Sequence, residues 1–384
     1  MSILFKNGYV YNSRKKSFGI ADIMAENSKI SGVYPTGSLA GADFVVDLTG
    51  KYVLPGLIDA HTHGRSGVDF NCIDDESVRH LRRSYAEAGT TTVMATLASD
   101  TFDSLLHSID VINRSRAPEH GLANIAGIHL EGRYLNPSRL GAHNPDYIAP
   151  LDADELEKLL IRMLPLPIHV SAAFELDTTR RFIKKAREYG ATCSLAHSNA
   201  TYDEAVAAVD SGVGAFTHTY NAMRPINHRD PGNMIASLLT DRAYSEFICD
   251  GFHSDPAMIE LAYRAKPHDK TVLVTDSLEA AGCPEGMYAI AGLPVQVKDG
   301  RAVNSNGALA GSLLDSFTAM RNFSRFTGAP IEEVIPMVTE NPARMLGIYD
   351  EYGSIDAGKS ADFLILDKLT DKAPESVYIG GEKI

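Results

Sequence analysis

An alternation runs through most of this 384-residue chain and limits the folds open to it. Short apolar, β-rich runs are separated by segments whose apolar residues recur at helical spacing. Eight runs stand out: "YVLPGLID", "TTTVMATL", "NIAGIHLEG", "LPIHVSAAFEL", "ATCSLAHS", "VGAFTHTY", "SEFICDGFHS" and "KTVLVTDS". Helix candidates between them cover 75–88, 152–164, 177–189 and 202–211. Continuous apolar runs belong to strands buried on both faces, as in parallel sheets. Eight such β-α units predict an α/β fold of the (β/α)8 TIM-like barrel type, for which roughly 250 residues suffice. An open doubly wound sheet would be expected to carry a glycine-rich turn after its first strand, and no G-x-G-x-x-G stands there.

The two ends of the chain have a different rhythm. "ILFKNGYVYN", "ADIMAENSKISGVYP" and "ADFVVDLTG" are short strands with turn signals, and so is the closing stretch from "GSIDAG" to "GGEKI". Terminal segments often meet in space. Residues 1–50 and 354–384 are therefore expected to build one small β-sandwich domain around a barrel spanning 51–353. "VQVKDGRAV" reads as a β-hairpin with an Asp-Gly turn, inserted near 286–310 beside the barrel mouth. "LLDSFTAMRNFSRF" and "IEEVIPMVTENPARMLG" have helical spacing and a packing role, Met320 and Met337 included.

Chemistry in such a barrel sits at the C-terminal ends of the strands. Here those ends carry His61 and His63, Glu131, His197, His218, His253 and Asp276. One histidine at a strand end is ordinarily a hydrogen-bonded structural residue, and one Asp before Ser is often a helix cap. Together they place several imidazoles and two carboxylates on one ring, which suits a divalent transition metal such as zinc or iron. His61 and His63 point the same way from an extended strand, because side chains alternate faces. A metal polarises a carbonyl and acidifies bound water while a carboxylate moves the proton, which is the chemistry of amide hydrolysis. Asp276 is the candidate for that carboxylate. The chain has neither a G-x-S-x-G elbow nor a cysteine in a convincing histidine context, so a covalent nucleophile lacks support.

Composition narrows the partners. Thirty-six basic against 49 acidic residues give a formal charge of −13, which argues against nucleic acid or an anionic membrane as a partner. The start lacks a basic segment followed by a long apolar one, and no run reaches about 18 apolar residues. The cytoplasm is the expected compartment. Cys72, Cys193, Cys249 and Cys283 are widely spaced without C-x-x-C, which predicts reduced thiols.

Beyond these patterns, "PGLIDAHTHG", "GIHLEG", "GAHNP", "LAHSNA", "THTYNAM", "HRDPG", "DGFHSDP", "VTDSLEAAG", "GALAGS" and "TENPARMLG" run in one family's order. By these motifs the chain resembles the amidohydrolase superfamily and, within it, the N-acetylglucosamine-6-phosphate deacetylase family. The resemblance implies a metal-dependent deacetylase of a phosphorylated amino sugar. It implies that Glu131, His197 and His218 hold the main metal, that Asp276 is general base and acid, and that His143 donates to the acetyl carbonyl oxygen. It assigns the phosphate to Asn221, the Ala222 backbone, His253 and Arg229, the last reaching across the interface of a homodimer. Related members bridge two metals with a carboxylated lysine on strand four, where "IHVSAAFEL" has none; Glu131 would serve instead. One or two metals per subunit are expected, and keeping His61 and His63 implies a site capable of two, with Glu131 between them. Three residues depart from the family pattern: Arg133 where relatives have proline, and Leu278 and Glu279 where relatives carry smaller residues. An amidohydrolase of another N-acyl compound, or a metal-binding relative without activity, are the alternatives.

Overall fold

In the computed structural model, which describes residues 2–39 and 41–384, the chain winds around an eight-stranded parallel sheet. Its strands are Leu57–Thr62, Thr90–Leu97, Asn124–Glu131, Ile168–Ala172, Thr192–Leu195, Ala215–Phe216, Tyr244–Ile248 and Thr271–Val274, each paired with the next in chain order. Almost every strand residue is buried, which is why the runs are apolar throughout. The seam between the last strand and the first is joined just above the ladder. There the Asp276 N–H donates to the His61 carbonyl at 2.8 Å, and the His63 N–H donates to the Ser277 carbonyl at 2.8 Å. The predicted barrel is therefore the fold, and its closure involves the same residues that carry the candidate chemistry.

Helices cover the sheet where the periodicity placed them. Ala153–Met163 is representative: Asp152 accepts from the Asp154 and Glu155 N–H groups, and Leu156, Leu159, Leu160 and Met163 are buried on one side. Tyr202–Asp210 starts in a capping box made by Thr201 and Glu204. The closing apolar stretch differs from expectation. Ser316–Thr327 is one helix, but "IEEVIPMVTENPARMLG" breaks into Ile331–Val334, the tighter turn Ile335–Val338 and Glu340–Met345. Pro336 and Pro342 stand at the starts of the later pieces, because proline lacks the N–H that a helix interior needs.

The terminal strands form one mixed sheet where the pattern predicted a sandwich. Ser2–Asn12 is long enough to pair on one side with both Phe44–Asp47 and Tyr52–Pro55, and on the other with Ser17–Glu26. From the chain's far end, Phe363–Leu366 pairs with Tyr52–Pro55. Phe5, Ile23, Val53, Phe363 and Tyr378 belong to a core of this sheet's own. The run "YVLPGLID" is thus two strands, its first half in the small sheet and its second in the barrel. The insertion is likewise larger than a hairpin. Gly286–Ile290, Leu293–Lys298 and Arg301–Asn304 make a three-stranded meander. Asp299 and Gly300 both turn with positive φ, as an Asp-Gly hairpin requires.

Gly56 is where the chain passes from one sheet to the other. A Cβ there would lie 2.2 Å from the Thr91 hydroxyl oxygen and 2.9 Å from the Asp362 Cβ. Gly56→Ala should therefore destabilise the protein by about 1–3 kcal/mol, as overpacking does. A urea midpoint unchanged from the wild type would show that this junction yields without strain.

Candidate active site

The strand ends bring the candidate ligands together around one carboxylate. Glu131 ends the third strand, with its two oxygens facing different partners. Glu131 Oε2 lies 3.0 Å from His63 Nε2 and 3.2 Å from His61 Nε2. Glu131 Oε1 lies 3.0 Å from His218 Nε2 and 3.4 Å from His197 Nε2. Asp276, following the eighth strand, completes the first group: its Oδ1 is 3.2 Å from His63 Nε2 and 3.5 Å from His61 Nε2. Within the pairs, the Nε2 atoms of His197 and His218 stand 3.1 Å apart, and those of His61 and His63 stand 3.4 Å apart.

Backbone strain accompanies this convergence. His197, His218, Ala222 and Asp276 all have positive φ although none is glycine. Such conformations persist only where the surroundings over-determine them, and they cluster at functional sites. Asp276 is held by the seam bond at its N–H and by the Ser312 N–H, which donates to its carbonyl at 2.7 Å. Gly311 makes that approach possible, since a Cβ there would come within 3.0 Å of the Asp276 carbonyl oxygen. Beneath, Asp59 ties the first strand to the eighth by accepting from the Thr275 hydroxyl at 2.6 Å.

The electrostatics follow from burial and neighbours. Burial alone would raise the Glu131 carboxyl, but the His61 charge and hydrogen bonds from His197, His218 and His61 hold it well below the usual range. Burial likewise opposes ionisation of Asp276, yet the charges of His61 and His63, with the His63 hydrogen bond, pull its carboxyl far down. In the other direction, burial disfavours a charge on His63, but hydrogen bonds to Asp276 and Glu131 lift its pKa to about 9. His143 differs from these: burial, with His197 beside it, pushes it down to about 3. It is therefore neutral at pH 7. Its Nδ1 accepts from the Ser99 N–H at 3.3 Å, so its proton sits on Nε2, 3.8 Å from Glu131 Oε2.

The donor set fits a metal. Four imidazole Nε2 atoms and three carboxylate oxygens face one another with no cationic side chain among them, and such a set suits zinc or iron. The Nδ1 atoms of His63 and His218 are buried with no hydrogen-bond partner, so these rings have polar partners only through Nε2. Two groups, His61 with His63 and Asp276, and Glu131 with His143 and His197, each have ligand atoms within 4.8 Å of one another.

These residues open into a cavity of about 230 Å³, lined also by Asn221, Ala222, His253, Ile290, Leu309 and Gly311. His253 is turned by Asp250, whose carboxylate lies 2.6 Å from its Nδ1. Ten of the eleven expected site residues thus gather here, His61 at the buried base and the others on the wall. Arg229 does not. It is exposed on the loop after the sixth strand and away from the cavity, and Asp230 beside it pairs with Arg224 instead.

The comparisons with known proteins agree with this geometry. The amidohydrolase family model matches residues 52–384. The chain belongs to the amidohydrolase family. It is 32% identical to the N-acetylglucosamine-6-phosphate deacetylase of Lysinibacillus sphaericus over 368 residues, 96% of this chain and 94% of that one. It is 34% identical to the N-acetylgalactosamine-6-phosphate deacetylase of Escherichia coli O157:H7 over 328 residues, 84% of this chain and 85% of that one. The N-acetylglucosamine-6-phosphate deacetylase of Pasteurella multocida superposes with a TM-score of 0.92 at 28% identity, over the whole of both chains.

Three features of this amidohydrolase are now explained. Arg133 points away from the cavity: its guanidinium bonds Glu155 at 3.0 Å and the Asp100 carbonyl at 2.8 Å. Its φ of 59° and the N–H it donates to Ser99 are both denied to proline. Leu278 is fully buried beneath the insertion. Glu279 fastens that insertion by accepting from the Ala289 N–H at 2.6 Å, while Asp69 accepts from the Ala291 N–H at 2.8 Å. Ile290 is held between these clamps and forms part of the cavity wall.

Glu246, whose Oε2 lies 3.2 Å from His61 Nδ1, received no role from the sequence pattern, and neither did Asp59 or Asp250. Glu246 lies inside an apolar run and Asp59 precedes the first histidine; only the D-x-x-H spacing of Asp250 and His253 offered a signal.

One consequence concerns pH. If His63 is a metal ligand, an ion must displace the proton that this ring holds below about pH 9, so metal retention should strengthen as pH rises from 5.5 to 8. Dialysis against a weak chelator across that range, followed by elemental analysis, measures it. A flat profile would contradict the proton-filled site described here.

Proposed function

We propose that this amidohydrolase removes the acetyl group from N-acetylglucosamine 6-phosphate, or a close N-acetyl amino-sugar 6-phosphate, yielding the amino-sugar phosphate and acetate. The observation that carries this reading is the meeting, in one small cavity, of an ionised carboxylate, a neutral histidine donor and a separate group of polar residues for an anion. Glu131, His197 and His218 would hold the main metal and His61 and His63, with Glu131 between, a second; zinc or iron suits these donors. Such a metal supplies Lewis-acid polarisation of the amide carbonyl and acidification of water.

The remaining steps belong to the protein's own groups. Asp276 is unprotonated at neutral pH, so its Oδ1 can take the proton of the attacking water and return it to the departing nitrogen. His143 Nε2–H donates to the carbonyl oxygen as negative charge develops there. Asn221, the Ala222 backbone and His253 hold the phosphate, with Asp250 fixing the His253 ring. Arg229 adds its guanidinium from a partner subunit of a homodimer, which its exposure in this protomer supports. Ile226 on the same loop is also 42% exposed, as an apolar contact for that partner. The four free thiols and the deacetylase relatives support a cytoplasmic location. No helix among the described residues is long and apolar enough to cross a membrane.

Acetate release from N-acetylglucosamine and N-acetylgalactosamine, each with and without the 6-phosphate, tests the reading. The phosphorylated sugars should be strongly preferred, and equal rates with and without phosphate would remove the anion assignment. Asp276→Asn should lower kcat by about 10²–10⁴-fold with the metal still bound. Turnover unchanged in that variant would exclude Asp276 as the proton carrier. Arg229→Ala should raise KM for the phosphorylated sugar and leave its KM for the unphosphorylated one unaltered.

A further inference from the structure

Each half of the donor cluster contains one imidazole engaged from behind and one that is not. In one half, His197 Nδ1 meets the Arg139 carbonyl at 2.9 Å, while His218 Nδ1 has no partner. In the other, His61 Nδ1 meets Glu246 Oε2 at 3.2 Å, while His63 Nδ1 has none. A ring nitrogen beside a carbonyl or carboxylate must carry the proton, which leaves the opposite nitrogen's lone pair for a metal. His197 gets that orientation from a neutral carbonyl, His61 from a charge.

Glu246 lies mid-way along the seventh strand, Tyr244–Ile248, and is 0% exposed. None of the roles above uses it. Its Oε2 also accepts from the His218 N–H at 3.2 Å, whereas its Oε1 is buried with no partner. A buried carboxylate with an idle oxygen weakens a fold. Packing therefore does not account for it: a neutral side chain could accept from the same backbone N–H without that penalty. A carboxylate does one thing a neutral group does less well. It holds the Nδ1 proton of His61 firmly, so that Nε2, 3.2 Å from Glu131 and 3.4 Å from His63, presents its lone pair inward, and it makes that nitrogen a stronger donor.

We infer that Glu246 is a positioning residue that fixes the metal-binding tautomer of His61 and thereby determines whether the His61–His63 side of the site retains its ion. The inference rests on the two-ion reading above. It assigns the ion near His197 and His218 a much smaller dependence on Glu246, because Glu246 touches the His218 backbone and not its ring.

The test is cobalt titration of chelator-stripped protein, following the visible absorption band and counting bound metal by elemental analysis. The proteins compared are wild type, Glu246→Leu, Glu246→Gln and His61→Ala. Wild type should take up two equivalents and His61→Ala one. Glu246→Leu should bind the second equivalent about 10- to 100-fold more weakly, with the first within twofold of wild type. Glu246→Gln, whose amide oxygen can still accept the Nδ1 proton, should fall between, and it decides the matter if Glu246→Leu does not fold. Wild-type affinity for both equivalents in Glu246→Gln and in any folded Glu246→Leu, with one lost in His61→Ala, would overturn the inference alone. A single equivalent in both wild type and His61→Ala would instead overturn the two-ion reading and the inference with it.

Discussion

Glu131 is a carboxylate buried at the centre of a barrel mouth, and an ion so placed needs opposite charge around it. Among the described residues, no lysine or arginine pairs with it. Instead four histidines reach it from three other strand ends, and Asp276 adds a second negative group to the same cluster. Protons on His61 and His63 balance the charge when nothing else does, which is why both are held above their ordinary pKa. A metal bound there would replace those protons. The site is therefore built for cations by the same requirement that lets Glu131 be buried at all.

The barrel supplies the geometry that this requirement needs. Parallel strands end together on one face, so residues far apart in the chain meet on one ring. The seam bonds among His61, His63, Asp276 and Ser277 place the proposed metal ligands and the proposed proton carrier across a single strand junction. Positive φ values at His197, His218 and Asp276 turn those side chains inward from strands that have already ended. The clamps at Glu279 and Asp69 then bring the insertion against the opening. Chemistry, closure and strain fall on the same few residues.

Much of this was legible in the sequence because burial on both faces writes continuous apolar runs, and polar residues that end such runs stand out. His61, His63, Glu131, His197, His218 and Asp276 were visible for that reason. The roles of His143, Asn221 and Ala222 came only through the family motifs, since nothing in their spacing marks a donor. Glu246 was hidden because its partner His61 lies at the opposite end of the barrel sequence, and a lone charge in an apolar run has no pattern. Arg229 was joined to the phosphate group by its motif alone, and it lies outside the cavity. The small sheet takes in Tyr52–Pro55, which the apolar run had joined to the barrel, and the insertion has one strand more than the hairpin that its Asp-Gly turn marked.

Glu131 is proposed to stand between two metal positions. Anomalous diffraction from crystals of the metal-loaded protein, recorded at the absorption edge of the bound metal, tests it most directly. Two peaks are expected, one beside each Glu131 oxygen, with His61 and His63 contacting one and His197 and His218 the other. A single peak touching neither His61 nor His63 would contradict it.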